Sequence, residues 1–567
     1  MQIKNSGLEN MVWLFLFALV IGLAAPASAE NSLSCPDCGM VWKDTCVPFE
    51  NGNETAYNED LMTALTPVGA NLTAPADFSG SSWTGAFRAL NNLFRERYAF
   101  TDWRAIDWDA RYAEYAPRIA AAEKAGDRAA YYRALREYIF SVPDGHVLVS
   151  APDDFGAKYA DVGGGFGFAV SRLDSGKVIV SYVANGSAAE KAGIAAGDEV
   201  TGWNGKPVLD AINATSILWT ARKPSTTEGI LLQQQRFLTR APVGTTATVT
   251  LANGTSSGSR TVRLAAYDDK YDTMVKTTTF LQKRVDDIDI ASASRGILPQ
   301  ISNNTVESRV LPGGYTCIAV YQEDYAAYQP FRSAMQQAIA NNTPGIILDL
   351  RFNNGGDDNL ASCFAGWFVD KPVFYEYGTK YDPGTGRFTR VWEAWTAPRP
   401  AGYSGPVAVL VSPYAVSSGE GLPMVFAHAG RGAIISFYGT NGAFGMEGMQ
   451  AYMPLNLSIA FPDGASLDQA GKIQVDSNVS LRGGVAPTLR VPVNEETVAR
   501  SMAGEDVQMT YALRWLDDQQ KGQTPAATTA AGSSPVATTK AGLPAVLLVL
   551  ALALCLVLAG LAGRKRE

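Results

Sequence analysis

Ser417 is the residue whose type and setting offer the clearest chemistry. It follows an apolar run, Val407–Val411, and a short loop, Ser412–Val416. After it come Ser418-Gly419-Glu420-Gly421, a helical run Leu422–Ala429, and a second apolar run Ala433–Phe437. A serine between strand and helix meets the helix N-terminus, where unpaired N–H groups and the dipole favour a developing oxyanion. The hydroxyl in that place suits a nucleophile. The same spacing also suits a plain N-cap made by Ser417 or Ser418, with Glu420 or Gly421 behind it. Glu420 is assigned to the helix start rather than to the chemistry.

A serine nucleophile needs a base, and the chain has 2 histidines. His428 lies eleven positions beyond Ser417 on the same helical run. At ~1.5 Å rise per residue it is roughly 16 Å from the helix start and out of reach. His146 closes the turn Val142-Pro143-Asp144-Gly145-His146, just ahead of a strand-like Val147–Val149. An imidazole base for Ser417 therefore falls to His146.

Other elements must hold these groups. Trp83 onward is helical, with Phe87, Leu90, Leu93, Phe94 and Tyr98 recurring at three and four. Trp103, Ile106, Trp108 and Tyr112 continue that section, and Tyr131, Leu135, Tyr138 and Ile139 form another amphipathic helix. From Cys317 the chain alternates: strand Cys317–Tyr321, helix Tyr328–Ala340, strand Gly345–Phe352, helix Leu360–Phe368. The third of these empties into Asn353-Asn354-Gly355-Gly356, which bares backbone at a strand's C-terminal end, where ligands bind in α/β folds.

Between the two parts, Gly163–Asp268 reads as short strands (Phe166–Val170, Val178–Val183, Glu199–Trp203, Thr246–Leu251, Arg260–Leu264) with helices at Ala188–Ala192 and Gly229–Leu238. This segment resembles a PDZ domain. Gly165-Phe166-Gly167-Phe168 matches its carboxylate-binding loop, and Ala192-Gly193-Ile194 through Gly197-Asp198 matches its helix–turn–strand signature. Glycine N–H groups would receive a terminal carboxylate, and the strand edge would add a peptide strand.

In order, Asp144-Gly145-His146, the PDZ-like segment, Ile347–Arg351 with Asn354-Gly355-Gly356, Ser417-Ser418-Gly419-Glu420 and the closing Gly483–Pro487 resemble the C-terminal processing (tail-specific) and tricorn-core serine peptidases. The resemblance spans about Trp83 to Val491. It implies a mixed α/β (ClpP/crotonase-like) peptidase core, an N-terminal helical domain, an inserted PDZ domain and endopeptidase activity. It also implies Ser417 as nucleophile, the N–H of Ser418 and of Gly355 or Gly356 as oxyanion donors, and the PDZ as holder of substrate C-termini. The lysine branch of the family carries its base in a Phe-Gly-Lys-Gly turn. Here that turn reads Phe444-Gly445-Met446-Glu447, so the histidine branch applies and His146 occupies its place. That branch sets a Glu shortly before the closing motif. Leu481-Arg482 stand there instead, and Asp476 is the nearest upstream carboxylate for orienting His146. No metal or other cofactor enters this chemistry. A catalytically inactive PDZ-containing surface peptide-binding protein is the alternative.

The ends suggest an address. At 567 residues, 47% hydrophobic and 18% charged, the chain is long enough for several globular domains. A net charge of −8 without recurring basic clusters argues against a nucleic-acid partner. Lys4, the apolar run Met11–Ala25 and the small residues Pro26–Ala29 read as a signal peptide, with maturation near Glu30. Leu543–Ala562 is long and apolar enough for a transmembrane helix, and Arg564-Lys565-Arg566 would keep the tail cytoplasmic. The expected layout is 1–29 signal peptide, 30–80 irregular Cys-containing leader, 81–155 helical domain, 156–270 PDZ domain and 271–505 peptidase core. It continues with 519–542 flexible stalk, 543–562 span and 563–567 cytoplasmic tail, with the catalytic part outside the cytoplasm. Sequons at Asn53, Asn71, Asn185, Asn213, Asn253, Asn303, Asn341, Asn456 and Asn478 fit that location. Cys35, Cys38 and Cys46 supply too few local ligands for a structural zinc site and favour a disulfide in an oxidising exterior. Cys317, Cys363 and Cys555 stand apart.

Overall fold

The structure, a computed structural model, describes residues 74–252, 258–276 and 304–522. The expected signal peptide and transmembrane segment lie outside these residues, as do Cys35, Cys38, Cys46, Cys555 and the expected stalk beyond residue 522; Gln519 and Gln520, expected in the stalk, instead end the helix Val507–Gln520. Among the described residues no helix is long and apolar enough to cross a membrane.

The region around Ser417 is built on a six-stranded sheet. Its order is Val306–Val310, Thr316–Val320, Ile346–Asp349, Val407–Leu410, Ala433–Ser436, Leu489–Arg490. The first pair is antiparallel and every later pairing is parallel. The inner strands read Ile-Ile-Leu, Val-Ala-Val-Leu and Ala-Ile-Ile because both faces are covered. One face packs on the helices Tyr325–Ala340, Asp358–Ala365 and Ser418–Ala429, through Phe331, Phe364 and Leu422 among others. The other packs on Glu495–Met502 and Val507–Gln520, through Val498, Ala512 and Leu516. That last helix extends the packed core past residue 505. Buried Arg351 ties it on, bonding Asp349 on its own strand at 2.7 Å and the helix N-cap Asp506 at 2.7 Å.

A second sheet joins distant parts of the chain: Ala76–Asp77, Met446–Met453, Leu457–Gly464, Leu148–Ser150. Its last strand lies just after His146 and pairs Val149 with Ile459. The helices Trp83–Arg97, Trp108–Ala125 and Arg128–Phe140 pack on this sheet, with Phe94 stacked on Phe461 at 4.3 Å between centroids. The helical region thus shares a core with the second sheet, so the His146 turn is delivered to the catalytic region by packing and by strand pairing. Trp103 and Ile106 fall in the turns before the second helix, which begins at Trp108.

The PDZ-like segment forms its own core around Phe168, Val180, Val249 and Leu251. Strand Phe168–Arg172 pairs with Val178–Val183, and Thr246–Ala252 pairs with Ser259–Ala265 and Val200–Trp203. The helix Thr227–Leu238 lies beside the first of these strands. The first strand starts at Phe168, two residues later than its pattern suggests, because Gly167 turns the chain at φ 84°.

Two long hairpins have irregular pairing that no simple alternation announces. Val373–Asp382 pairs with Arg387–Thr396, and Met446–Met453 pairs with Leu457–Gly464.

Candidate active site

Ser417 sits between the Val407–Leu410 strand and the Ser418–Ala429 helix, as expected, but it does not cap that helix with its side chain. Its backbone has φ 62° and ψ −140°. That region costs an L-residue on the order of 1–3 kcal/mol and persists only where the surroundings enforce it. The enforcement is visible. The Ser417 N–H donates to Ala443 O at 2.9 Å, and the Ser417 carbonyl accepts from the Glu420 amide at 2.7 Å. The adjoining Val416 N–H donates to Asn353 O at 3.2 Å. The result is a sharp strand-to-helix elbow that leaves the side chain half-buried at the helix N-terminus.

The Asn353–Gly356 turn lies directly against this elbow. A Cβ placed on Gly355 would come within 2.4 Å of Ser417 Cβ and 3.1 Å of Ser417 Oγ, and Gly355 has φ 82°. Of the expected oxyanion donors, the Gly355 N–H donates to Asn353 Oδ1 at 2.8 Å. Gly356 pairs in parallel with Glu323, through Glu323 N to Gly355 O at 3.2 Å and Asp357 N to Glu323 O at 2.8 Å. A residue so bridged points its own N–H away from the partner strand. Ser418 is the first residue of its helix, so its N–H has no intrahelical acceptor.

Glu420 does not serve the helix start. Its buried carboxylate reaches across to the 440–443 loop, accepting from Gly442 N at 2.8 Å, Ala443 N at 2.7 Å and the Thr440 hydroxyl. Burial pushes its pKa up to about 7 against these donors. The loop it holds presents Ala443 O to Ser417. The same loop seats the histidine turn. A Cβ on Gly145 would lie 3.1 Å from Ala443 Cβ, and Ser225 Oγ links the Gly145 amide at 2.9 Å to Asn441 Oδ1 at 3.0 Å. The backbone before His146 and the amide of Ser417 thus meet on one residue, Ala443.

His146 is buried, and its amide donates to Asp144 Oδ1 at 2.9 Å. Asp144 Oδ2 accepts from the Tyr98 hydroxyl at 2.7 Å. Arg104, wholly buried, lies 3.5 Å from Asp144 and 3.3 Å from Asp476, and also donates to Pro143 O. Asp476 is buried. Its Oδ1 accepts from the Phe444 amide at 3.0 Å, while its Oδ2 accepts no hydrogen bond. Burial drives the Asp476 carboxyl well above the usual carboxylate range, with Arg104 opposing. Asp476 therefore belongs to the network that fixes the histidine turn, one arginine away from Asp144. His428 lies exposed near the far end of the Ser418–Ala429 helix, with Nδ1 3.4 Å from Phe374 O.

Two buried groups had no assigned role in the sequence. Asn353 Nδ2 donates to Glu323 Oε1 at 2.5 Å, and Ser418 Oγ donates to Glu323 Oε2 at 3.2 Å. Burial pushes Glu323 up to about 7. Its place just before Asp324, the N-cap of the Tyr325–Ala340 helix, gives it the look of an ordinary helix entry in one dimension.

In the PDZ-like segment, Phe166 and Phe168 are core residues that contact Trp203. Gly165 exchanges hydrogen bonds with Tyr267 at 2.9 and 3.0 Å, and Gly167 O accepts from Ala184 N at 2.8 Å. Arg172 N–H donates to Gln235 Oε1, on the neighbouring helix, at 2.7 Å. Cys317 and Cys363 are buried, and Arg399 Nη2 donates to Cys363 Sγ at 2.7 Å. Among the described residues no cluster of His, Cys, Asp and Glu is arranged to hold a metal ion.

Comparison with known proteins agrees with this architecture. Residues 314–491 match the profile of peptidase family S41, residues 80–138 the tricorn protease C1 domain and residues 158–224 the PDZ domain. No curated protein matches significantly. Among solved structures, mature CPAF complexed with lactacystin aligns at TM-score 0.51 and 14% identity, over 77% of this chain and 99% of that one. Uncomplexed mature CPAF aligns at TM-score 0.51 and 13% identity, over 77% and 98%. At these identities the likeness shows the fold.

Proposed function

Because the chain is a serine peptidase of family S41 carrying a PDZ domain, we propose that it cleaves peptide bonds internally, through an acyl-enzyme on Ser417. The observation that carries this reading is the enforced positive-φ elbow at Ser417, pressed against the Gly355 turn and sharing Ala443 with the His146 turn.

In this reading His146 accepts the Ser417 hydroxyl proton as Oγ bonds to the substrate carbonyl carbon. The oxyanion is received by the N–H groups of Ser418 and Gly356 at the helix N-terminus. Collapse breaks the C–N bond, and the leaving amine takes the proton from His146. Water then releases the acyl group by the same route in reverse. Asp144 and Asp476, joined by Arg104, fix the base's turn. The PDZ segment binds substrate C-termini along Phe168–Arg172. We place this catalytic part outside the cytoplasm, on a C-terminal span at residues 543–562. Exposure of Asn185, Asn213, Asn341 and Asn456 supports that placement, since each is accessible for glycosylation.

The test is covalent labelling with a fluorophosphonate. Wild type should label at one site, Ser417→Ala should not label, and His146→Ala should label at least a hundredfold more slowly. Absence of labelling in wild type, together with retained binding of C-terminal peptides, would instead make the chain a peptide-binding protein without proteolysis.

A further inference from the structure

Glu323 carries no role in the reading above, yet it touches both sides of the oxyanion site. It lies at the end of the Thr316–Val320 strand's continuation, 1% exposed, where an uncompensated carboxylate would be costly. Its two oxygens are spent on two different elements. Oε1 accepts from Asn353 Nδ2 on the glycine turn, and Oε2 accepts from Ser418 Oγ at the helix start. Its backbone is tied to the same turn by Glu323 N to Gly355 O and Asp357 N to Glu323 O.

Asn353 passes this hold on. With Nδ2 committed to Glu323, its Oδ1 faces Gly355 and takes that amide at 2.8 Å, leaving Gly356 as the turn's donor. The turn has no slack: a Cβ on Gly356 would fall 2.0 Å from Glu323 O, and one on Gly419 would fall 2.6 Å from Asn353 Oδ1. The orientation of the Asn353 amide thus follows from the carboxylate, because only an acceptor at 323 leaves the Asn353 oxygen free for Gly355.

We propose that Glu323 is the positioning residue of the oxyanion site, holding Ser418 and, through Asn353, the Gly355-Gly356 turn in one fixed relation to Ser417. It touches neither substrate nor reacting atoms; it acts through the two elements that do. A carboxylate suits this role better than an amide, since it accepts from both donors at once. A glutamine has one accepting oxygen and adds a donor, so one tie must break.

This inference rests on the peptidase reading, and the experiment separates the two. Saturation kinetics of fluorophosphonate labelling give the probe's binding constant and the maximal rate of bond formation. Glu323→Gln should lower the maximal rate at least tenfold with the binding constant changed less than threefold. Ser418→Ala, which keeps the backbone N–H, should lower it by a smaller factor, and Glu323→Gln with Ser418→Ala should be no slower than Glu323→Gln alone. A maximal rate equal to wild type in either single variant overturns the proposal, as does a loss confined to the binding constant. Where Glu323→Gln fails to fold, Ser418→Ala decides. Amide hydrogen exchange across residues 353–356 needs no reactive serine. Faster exchange there in the folded variants, with no change in the Val407–Leu410 strand, supports the proposal even if wild type does not label, and unchanged exchange overturns it.

Discussion

The Ser417 N–H donates to the Ala443 carbonyl at 2.9 Å, and the Ala443 N–H donates to Glu420 Oε1 at 2.7 Å. Ser417 is therefore held through a carboxylate three residues further along its own chain. Glu420→Gln replaces an acceptor facing three donors with a group that carries donors of its own. We expect a loss of about 1–3 kcal/mol in urea unfolding from the unsatisfied amides. Labelling of Ser417 should slow in parallel, because the 440–443 loop also seats the His146 turn. Unchanged labelling in a folded Glu420→Gln would detach the loop from the chemistry.

The Gly355 turn offers a sharper steric test. Gly355→Ala places a methyl 2.4 Å from Ser417 Cβ at a backbone φ of 82°. One of the two must move, and both belong to tightly bonded segments. Labelling should fall at least a hundredfold, with the protein destabilised by about 1–3 kcal/mol. Gly176→Ala, in a PDZ turn with open space around its Cβ and φ 85°, is the control for backbone cost alone. It should leave the labelling rate unchanged.

Burial sets a pH dependence. Glu376 accepts from Trp392 Nε1 at 2.8 Å and is pushed up to about 7, from a usual 4.5, by desolvation. A carboxyl raised in the folded state favours folding when protonated. Its contribution is full below the unfolded value near 4.5 and is lost as pH rises through about 7. Glu323 and Glu420 act in the same sense. Stability should therefore fall between pH 5 and pH 8. Glu376→Gln, which stays neutral, should flatten that slope by one proton's worth, measured as the urea midpoint across the range.

The PDZ strand edge carries its own prediction. Gln235 occupies the Arg172 N–H, a position that an added peptide strand would use. Gln235→Ala, in a Ser417→Ala background, should bind fluorescent C-terminal peptides several-fold more tightly by anisotropy. Amidating the peptide's C-terminus should weaken both proteins. Equal affinity of acid and amide peptides would count against carboxylate recognition.

Much of this architecture was legible in one dimension. The apolar runs at 346–349, 407–410 and 433–436 are parallel strands buried on both faces, and such runs announce themselves. Of the PDZ strands, Thr246–Ala252 alternates while Phe168–Arg172 and Val178–Val183 are buried in continuous runs, and the bounds of all of them shift by two residues at most. Ser417 and His146 stand out because strand–turn–helix grammar and a count of 2 histidines leave few choices. Glu323, Asn353 and Arg104 do not stand out. Their roles come from pairings across 95, 30 and 372 positions, such as Ser418 with Glu323, and no local pattern records those. Glu420 misled for the same reason: a Glu three residues after a serine looks like a capping box, while its true partners lie on a loop 20 residues on. The two hairpins at 373–396 and 446–464 were hidden by bulges that break the alternation.

Arg104 anchors the turn that carries His146. It is a guanidinium with no exposed side-chain surface, set between two carboxylates equally hidden, Asp144 and Asp476. Removing one partner of such a cluster strands charge in a low-dielectric interior, which typically costs about 3–5 kcal/mol. Arg104→Met should lower stability by that order in urea unfolding. Arg104→Met with Asp476→Asn should recover part of the loss, because the amide, unlike the buried carboxyl, needs no cation beside it. Labelling should not recover with it, since Arg104 also holds the Pro143 carbonyl next to the histidine turn. Recovery of both together would mean that Arg104 serves the fold alone, and that the His146 turn is kept in place by strand pairing at Leu148–Ser150 without help from the ion cluster.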